Sequence, residues 1–152
     1  DGWEGGHRVP FIARWPGHVP AGRVDEKSVL SAVDLFPSLC AVASVPLPGD
    51  VAFDGENLSR ALLGKRASRR ALLFWEYGRN TNSFSYPQGK DRSPNVAVRD
   101  GKWKLLINAN GSGVELYDLN NDPSETTNLG TNEAAVTERL TRAALDWRKK
   151  LP

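Results

Sequence analysis

The spacing of apolar residues predicts a mixture of strands and helices in the first part of the chain. Residues 11–15 and 28–33 are short apolar runs next to turn-forming residues, and such runs predict two buried strands. Asp34 precedes apolar residues that recur at helical spacing up to about Val45, which predicts a helix with Asp34 as its N-cap. A shorter helix is predicted over residues 58–63.

The second part of the chain carries the pattern of an antiparallel sheet. Residues 71–77 form an apolar, aromatic run typical of a strand. Residues 95–99 and 102–107 flank Asp100-Gly101, a dipeptide typical of a two-residue hairpin turn. That turn predicts a register in which Val98 faces Trp103 and Val96 faces Leu105, with one apolar side to the hairpin.

One further strand and a long helix complete the prediction. Residues 114–119 read as the fourth strand, and apolar residues recur on one helical face from Asn132 onward. The predicted architecture is therefore α+β, with about four antiparallel strands covered by a helix. The polar stretch 66–70 separates the two parts, and residues 78–94 form a long polar loop of the kind that is often functional.

Composition and charge exclude several classes of protein. The 152 residues carry a net charge of +2 and no block of five like charges, so nothing predicts nucleic-acid binding. No apolar run reaches the ~20 residues that a membrane-spanning helix needs. The one cysteine, Cys40, cannot form an internal disulfide. It lies among apolar residues of the predicted helix, and its side chain is predicted to pack in the hydrophobic core.

Motifs of general catalytic chemistry do not identify a reaction. His7 and His18 are the only histidines, and neither has a cysteine or carboxylate at the spacing of a zinc site. The sequence contains no Gly-x-Ser-x-Gly elbow, phosphate-binding loop or dinucleotide fingerprint. From the residues alone the chain has a predictable fold and no assignable chemistry.

Five blocks, in order, resemble the type I, formylglycine-dependent sulfatases of the arylsulfatase kind. They are Glu4-Gly5-Gly6-His7-Arg8-Val9-Pro10 with Arg14-Trp15-Pro16-Gly17; Val33-Asp34-Leu35-Phe36-Pro37-Ser38-Leu39; Asp54-Gly55-Glu56-Asn57-Leu58 with Leu62-Leu63-Gly64; Ala97-Val98-Arg99-Asp100-Gly101-Lys102-Trp103-Lys104-Leu105; and Leu116-Tyr117-Asp118-Leu119 with Asp122-Pro123, Glu125 and Asn128-Leu129. Each block alone is a weak signal, whereas five in the family's order are a strong one.

The resemblance implies that the chain is the C-terminal part of such an enzyme. Residues 1–66 would end an alkaline-phosphatase-like α/β domain, and residues 67–152 would form the small sheet-and-helix domain. The family's nucleophile is a formylglycine made from Cys or Ser in a motif that does not follow Cys40. Its calcium ion neutralises the sulfate oxygens through Asp, Asn or Gln ligands. The resemblance places no catalytic residue and no metal ligand in this chain, so the chain alone is expected to be inactive.

Two groups of residues are candidates for binding the substrate. His7 and Arg8, beside the two glycines, would face the anionic ester; the alternative is that Arg8 pairs with a core carboxylate and the glycines only permit a turn. Tyr77, Arg79 and Asn80, which open the long loop, would select a sugar through stacking and hydrogen bonds. For the loop, the alternative is a solvated hairpin connection.

Three functions follow from these observations. The first is hydrolysis of sulfate esters, on sulfated carbohydrates in particular, by a longer protein that is periplasmic or secreted as its relatives commonly are. The second is a phosphonate or phosphate ester hydrolase of the same superfamily. The third is a non-catalytic, glycan-binding module.

The partners expected under the first function, sulfate ester hydrolysis, are a sulfate ester, such as a sulfated glycan, and the rest of the catalytic domain. The apolar surface that this domain would cover is expected to be exposed in the chain alone.

Overall fold

The computed structural model describes residues 2–78 and 92–151. The chain divides into two compact units, which we name by their content. The sheet unit comprises Asp1–Val9 and Leu72–Pro152, and the loop-rich unit comprises Pro10–Ala71. The opening residues therefore group with the sheet that lies far beyond them in sequence. The division of a longer protein into domains at residue 66 stays a prediction.

The sheet unit contains the predicted four-stranded antiparallel sheet. Its strands are β1 (Leu73–Glu76), β2 (Val96–Asp100), β3 (Trp103–Ile107) and β4 (Glu115–Asp118), each hydrogen-bonded to the next along the chain. Short connections join β2 to β3 and β3 to β4, as expected for antiparallel neighbours. The fold prediction of four strands and a covering helix is confirmed.

The register of the central hairpin differs from the predicted one. Val98 pairs with Leu105, and Asp100 pairs with Trp103, so the turn is Gly101-Lys102 and not Asp100-Gly101. Gly101 takes a left-handed φ of 56°, a conformation that glycine adopts without a steric cost. The predicted register was wrong by two residues. Because side chains alternate with a period of two, the shift leaves the apolar side of the hairpin unchanged.

A long helix covers one face of the sheet. Helix α4 (Ala134–Lys149) buries Leu140 and Ala144 completely against Val98 and Leu105. Its Trp147 stacks on Phe74 of β1 with ring centroids 5.2 Å apart. Full burial of a Leu side chain stabilises a fold by about 1.5–3 kcal/mol, so this face holds the main core. The predicted apolar stripe of the helix is confirmed.

The opposite face of the sheet is covered by the start of the chain. The buried side chains of Ala97, Leu106 and Tyr117 lie on this face, and Trp3 and Trp75 pack on them. Gly2 donates its backbone N–H to Ser93 Oγ at 2.6 Å, next to β2. Strand β3 is therefore covered on both faces, which explains why it reads as a nearly continuous apolar run.

The loop-rich unit contains short helices and none of the predicted strands. After α1 (Glu4–His7) in the sheet unit, the next elements are a 3₁₀ helix (Ala32–Asp34), α2 (Leu35–Val42) and α3 (Ser59–Leu62). Residues 11–15 and 28–31 have no strand partner, and Ile12 is 89% exposed. The two predicted strands were wrong, because these apolar runs have no neighbouring strand among the described residues to pair with. The predicted helices are present, with the first one shorter than expected.

A buried carboxylate organises the loop-rich unit. Asp34 is fully buried and accepts hydrogen bonds from the backbone N–H groups of Ser31 at 2.8 Å and Glu56 at 2.9 Å. Arg69 forms an ion pair with the same carboxylate. Ser38, also fully buried, accepts a hydrogen bond from Leu58 N at 2.8 Å. Asp34 lies at the predicted N-cap position of α2, but its side chain makes no capping hydrogen bond to that helix and instead accepts the N–H of Ser31 in a capping box of the 3₁₀ helix.

Many large apolar side chains of this unit are exposed. The exposed set is Val9, at the end of the sheet unit, followed by Phe11, Ile12, Trp15, Val24, Val33, Phe36, Leu39, Val45, Leu47 and Val51. Apolar surface is exposed, as expected, and its coverage by the rest of a longer protein stays a prediction. Cys40 is half-buried, so the prediction of a core cysteine was wrong: its helix has one side open. Among the helices described, none is long and apolar enough to cross a membrane.

Candidate functional site

The Glu-Gly-Gly segment forms a single helical turn on the sheet. Within α1, the backbone N–H of Gly6 donates to the Trp3 carbonyl at 2.9 Å, and that of Arg8 donates to the Glu4 carbonyl at 2.8 Å. Gly5 and Gly6 are exposed, whereas Glu4 is only 4% exposed. The turn therefore presents its glycine backbone to the outside and its one carboxylate to the sheet.

A fully buried lysine lies beneath this turn. Lys104, at 0% exposure in the middle of β3, places its Nζ 3.2 Å from Glu4 Oε1 and 2.9 Å from Glu125 Oε1. A third acceptor, His7 Nε2, lies 3.2 Å from the same Nζ. An ammonium group has three N–H donors. Here one donates to Glu4 Oε1, whereas Glu125 Oε1 forms an ion pair without an aligned hydrogen bond. His7 Nε2 accepts from Lys104 only in the tautomer that does not donate to the Gly2 carbonyl. Such pairing is what allows a charge to be buried at all.

Glu125, in the loop between β4 and α4, connects this loop to the turn. Its Oε2 accepts the backbone N–H of Glu4 at 2.5 Å, while its Oε1 pairs with Lys104. The Glu125 backbone has a φ of 55°, which is uncommon for a residue other than glycine. The two contacts of the side chain offset the cost of that conformation.

The charges of this cluster balance when His7 is neutral. Arg99 contributes a second cation, with its Nη1 3.5 Å from Glu4 Oε2. Two cations, Lys104 and Arg99, then face two carboxylates, Glu4 and Glu125. Burial, and next the charge of Lys104, lower the pKa of His7 below 6.5. Its ring also packs on Trp75, with centroids 4.7 Å apart.

A depression of about 540 Å³ opens beside the turn. Its lining is Trp3, Gly5, Gly6, Tyr117, Pro123, Ser124 and Glu125. Two of its aromatic groups share one acceptor: Trp3 Nε1 and Tyr117 Oη donate to Glu115 Oε2 at 3.2 and 3.0 Å. Burial, followed by the charge of Glu115, raises the pKa of Tyr117. These donors are therefore occupied within the sheet unit.

The predicted binding residues do not share one environment. His7 is half-buried in the charge cluster, with its Nε2 also 3.1 Å from the Gly2 carbonyl. The Arg8 side chain is exposed and forms no ion pair with a residue in 2–78 or 92–151, so its predicted alternative of a core carboxylate partner is not found there. Tyr77 is half-buried after β1, and its backbone N–H donates to Asn95 at 2.7 Å. Arg79 and Asn80 lie outside the described residues.

The described residues do not form a metal centre. Within 2–78 and 92–151, no group of three or more His, Cys, Asp or Glu side chains could hold an ion. The cluster around Lys104 has two carboxylates, but two cations already neutralise them. The side chains in this part of the protein therefore do not fit a calcium ion.

Sequence reasoning missed Lys104 and the role of Glu125. A lysine within Trp103-Lys104-Leu105-Leu106-Ile107 interrupts an apolar strand, and this was the available signal. The side chains around Glu125 are of the kind that form turns. Asp122 does so by accepting the N–H groups of Thr126 and Thr127, both at 2.8 Å. Glu125 instead reaches the buried cluster.

Comparison with solved structures places this fold among the sulfatases. A structure from work on the metabolism of multiple glycosaminoglycans by Bacteroides thetaiotaomicron, of a 6S-sulfatase, aligns with a TM-score of 0.72 and 27% identity over 98% of this chain and 31% of its own. A second, described in complex with its substrate D-glucosamine-2-N,6-O-disulfate, shares the fold at a TM-score of 0.57 and 22% identity over 90% of this chain and 27% of its own.

The family model described as N-sulphoglucosamine sulphohydrolase, C-terminal, matches residues 3–150. The chain belongs to this family, and the resemblance found in the sequence is confirmed. It is 33% identical to an N-acetylgalactosamine-6-O-sulfatase of Bacteroides thetaiotaomicron over 91% of this chain and 27% of the relative. It is 36% identical to human arylsulfatase A over 93% of this chain and 30% of the relative. The chain thus spans less than a third of the length of these relatives.

Proposed function

We propose that this chain is the C-terminal part of a longer sulfatase that hydrolyses sulfate esters. The observation that carries the proposal is the family match over residues 3–150, which includes the Glu-Gly-Gly turn and the sheet that holds it. Calcium, bound by residues elsewhere in the longer protein, would neutralise the sulfate oxygens. The chain itself would supply the ordered turn and part of the substrate pocket, and it would be inactive alone.

The substrate we propose is a sulfated carbohydrate. A relative of this chain is an N-acetylgalactosamine-6-O-sulfatase, and a structural neighbour comes from work on glycosaminoglycan metabolism. Arg8, exposed beside the glycine turn, has the donor geometry that an anionic group requires. We assign to His7, Tyr77, Arg79 and Asn80 contacts with the sugar or its sulfate. Because such a glycan lies outside the cell, we also propose that the longer protein is exported.

The test is an assay of the longer protein that carries this chain. Hydrolysis of 4-nitrophenyl sulfate and of 6-O-sulfated amino sugars, lost on chelation and restored by calcium, is the expected result. Activity on 4-nitrophenyl phosphate but not on the sulfate would replace this proposal with a phosphate ester hydrolase. Binding of glycans without hydrolysis of either ester would indicate the non-catalytic module.

The role of Arg8 can be tested in the same assay. Arg8→Ala should raise KM for a sulfated sugar by roughly 10- to 100-fold, which corresponds to the loss of a charge-assisted hydrogen bond. Arg66→Ala, at another exposed arginine, is the matched control and should leave KM unchanged. Equal effects of the two substitutions would remove Arg8 from the proposed site.

A further inference from the structure

We propose that Lys104 is a positioning residue, which holds the Glu4–Arg8 turn in the geometry that substrate binding requires. The inference rests on the proposed function for the consequence in catalysis, but the anchoring itself is independent of it. The starting observation is that a lysine with no exposed surface occupies the centre of a four-stranded sheet. Burying an ammonium group costs several kcal/mol, so such a residue persists only where its contacts are needed.

The contacts of Lys104 all lead to the same short segment. Its Nζ binds Glu4 and His7, the first and last residues of α1, at 3.2 Å each. Its third partner, Glu125, accepts the backbone N–H of Glu4. One ammonium group therefore ties both ends of the turn, and the turn's first amide, to the sheet.

Other contacts, such as the packing of Trp3 on the sheet and of His7 on Trp75, also hold this segment, but the turn has little intrinsic stability of its own. It is a helix of four residues with no side-chain cap, two of the four are glycines, and its sequence has low intrinsic helix stability. Its two internal hydrogen bonds, from Gly6 N and Arg8 N, would open readily in an isolated peptide. Arg8 directly follows this turn, so its position depends on whether the turn is formed.

Glu4 and Glu125 both form ion pairs with Lys104. Arg99 also contacts Glu4, but its nearest nitrogen is 3.5 Å away and its side chain is 21% exposed. Loss of Lys104 would leave two nearby buried carboxylates with only this distant cation. The expected consequence is that the turn separates from β3 and that Arg8 loses its fixed position.

The experiment compares Lys104→Met with Lys102→Met in the full-length protein. Lys102 lies two positions earlier, pairs with Asp118 at 2.7 Å and is 42% exposed, so it controls for loss of a lysine from the same hairpin. Lys104→Met should accelerate hydrogen exchange of the Gly6 and Arg8 amides and lower kcat/KM for a sulfated sugar by roughly 10- to 100-fold. Lys102→Met should change neither quantity.

A double variant separates positioning from general stability. Lys104→Met combined with Glu125→Gln removes one unpaired carboxylate together with the cation, so the melting temperature should recover toward that of the wild type. The exchange of Gly6 and Arg8 and the loss in kcat/KM should persist, because the anchor is still absent. Recovery of kcat/KM in parallel with the melting temperature would overturn the positioning role.

The two proposals fail in distinguishable ways. If the wild-type protein hydrolyses sulfate esters and Lys104→Met leaves amide exchange unchanged, the anchor is wrong and the sulfatase assignment stands. If exchange accelerates as expected but the wild-type protein hydrolyses no sulfate ester, the anchor is supported and the assignment is wrong. Faster exchange with an unchanged kcat/KM would overturn the link between the turn and the substrate.

Discussion

The sheet unit and the loop-rich unit maintain their order by different means. In the sheet unit, apolar side chains such as Leu105 and Leu140 are fully buried between the sheet and α4. In the loop-rich unit, Asp34 and Ser38 are fully buried, Leu58 and Leu62 are buried at 5% and 9% exposure, and many large apolar side chains are exposed. A buried carboxylate with its hydrogen bonds there adds to an apolar core that is much smaller than the core of the sheet unit.

This difference has a consequence for how each unit responds to mutation. A hydrophobic core is redundant, because many contacts share the stabilisation. A network that converges on one carboxylate is not redundant, since removing that group leaves several donors unsatisfied. We therefore expect the largest effect of a single substitution in the unit with the less extensive core.

Asp34→Ala should have the largest effect on stability. It leaves the buried Arg69 guanidinium with only the longer contact to Glu56, at 3.6 Å, and removes the acceptor for Ser31 N and Glu56 N. Breaking a buried pair from one side costs about 3–5 kcal/mol. Asp25→Ala is the control: Asp25 accepts similar bonds from Lys27 and Ser28 in an exposed loop. Urea unfolding should show a much smaller loss for Asp25→Ala, and equal losses would contradict the comparison.

Leu140→Ala tests the core of the sheet unit against an exposed leucine in the other unit. Leu140 is fully buried in α4, whereas Leu39 is 55% exposed in α2. Both substitutions exchange Leu for Ala within a helix, so differences in helix propensity largely cancel. We expect a loss of about 2–5 kcal/mol for Leu140→Ala and below about 1 kcal/mol for Leu39→Ala, measured by chemical denaturation. A large loss for Leu39→Ala would show that its side chain is covered.

Gly55→Ala examines a close backbone approach within the loop-rich unit. A Cβ atom on Gly55 would overlap the carbonyl oxygen of Val33, immediately before Asp34. Because the obstacle is backbone, we expect a loss of about 1–3 kcal/mol through displacement of the Asp34 network. Gly49 has open space around the same position, so Gly49→Ala should change stability by less than about 0.5 kcal/mol. Thermal unfolding of both variants measures the difference. Equal stabilities of Gly55→Ala and Gly49→Ala would rule out a steric constraint at Gly55.

The elements that sequence reasoning predicted correctly are those with local signals. The long helix and the hairpin strands were predictable because their apolar periodicity lies within the elements themselves. The hairpin register was not predictable. A turn at Asp100-Gly101 and a turn at Gly101-Lys102 place the same side chains on the same face of the sheet, so the apolar pattern does not distinguish them. The apolar run at residues 11–15 predicts a strand, but a strand also needs a neighbour to pair with, and the run itself carries no information about one.

The charge cluster could be predicted only in part, for a related reason. Lys104 is conspicuous in its strand, but its partner Glu4 lies 100 residues earlier in the chain. No periodicity connects residues at that separation. The resemblance to sulfatases drew attention to the glycine turn, and so to His7 and Arg8, but not to what holds the turn on the sheet. Only the packing of the turn on β3 shows that connection.

The smallest effect we expect concerns pH and comes from His7 in the sheet unit. Burial and Lys104 lower the folded-state pKa of His7 below its usual 6.5, with Glu4 acting in the opposite direction and Arg99 adding to the decrease. As the pH falls, the unfolded chain therefore binds a proton before the folded chain does. The contribution of His7 is complete above pH 6.5 and is lost as the pH falls toward the lowered pKa, by at most about 1.4 kcal/mol per pH unit.

Urea unfolding between pH 7.5 and 5 in three proteins measures this contribution. His7→Gln should flatten the decrease in stability below pH 6.5 relative to the wild type. His18→Gln, at the exposed histidine of the loop-rich unit, should follow the wild-type curve. Parallel curves for the wild type and His7→Gln would mean that burial and Lys104 do not hold His7 in its neutral form. The charged groups that anchor the glycine turn would then be Glu4, Glu125 and Lys104, without a contribution from His7.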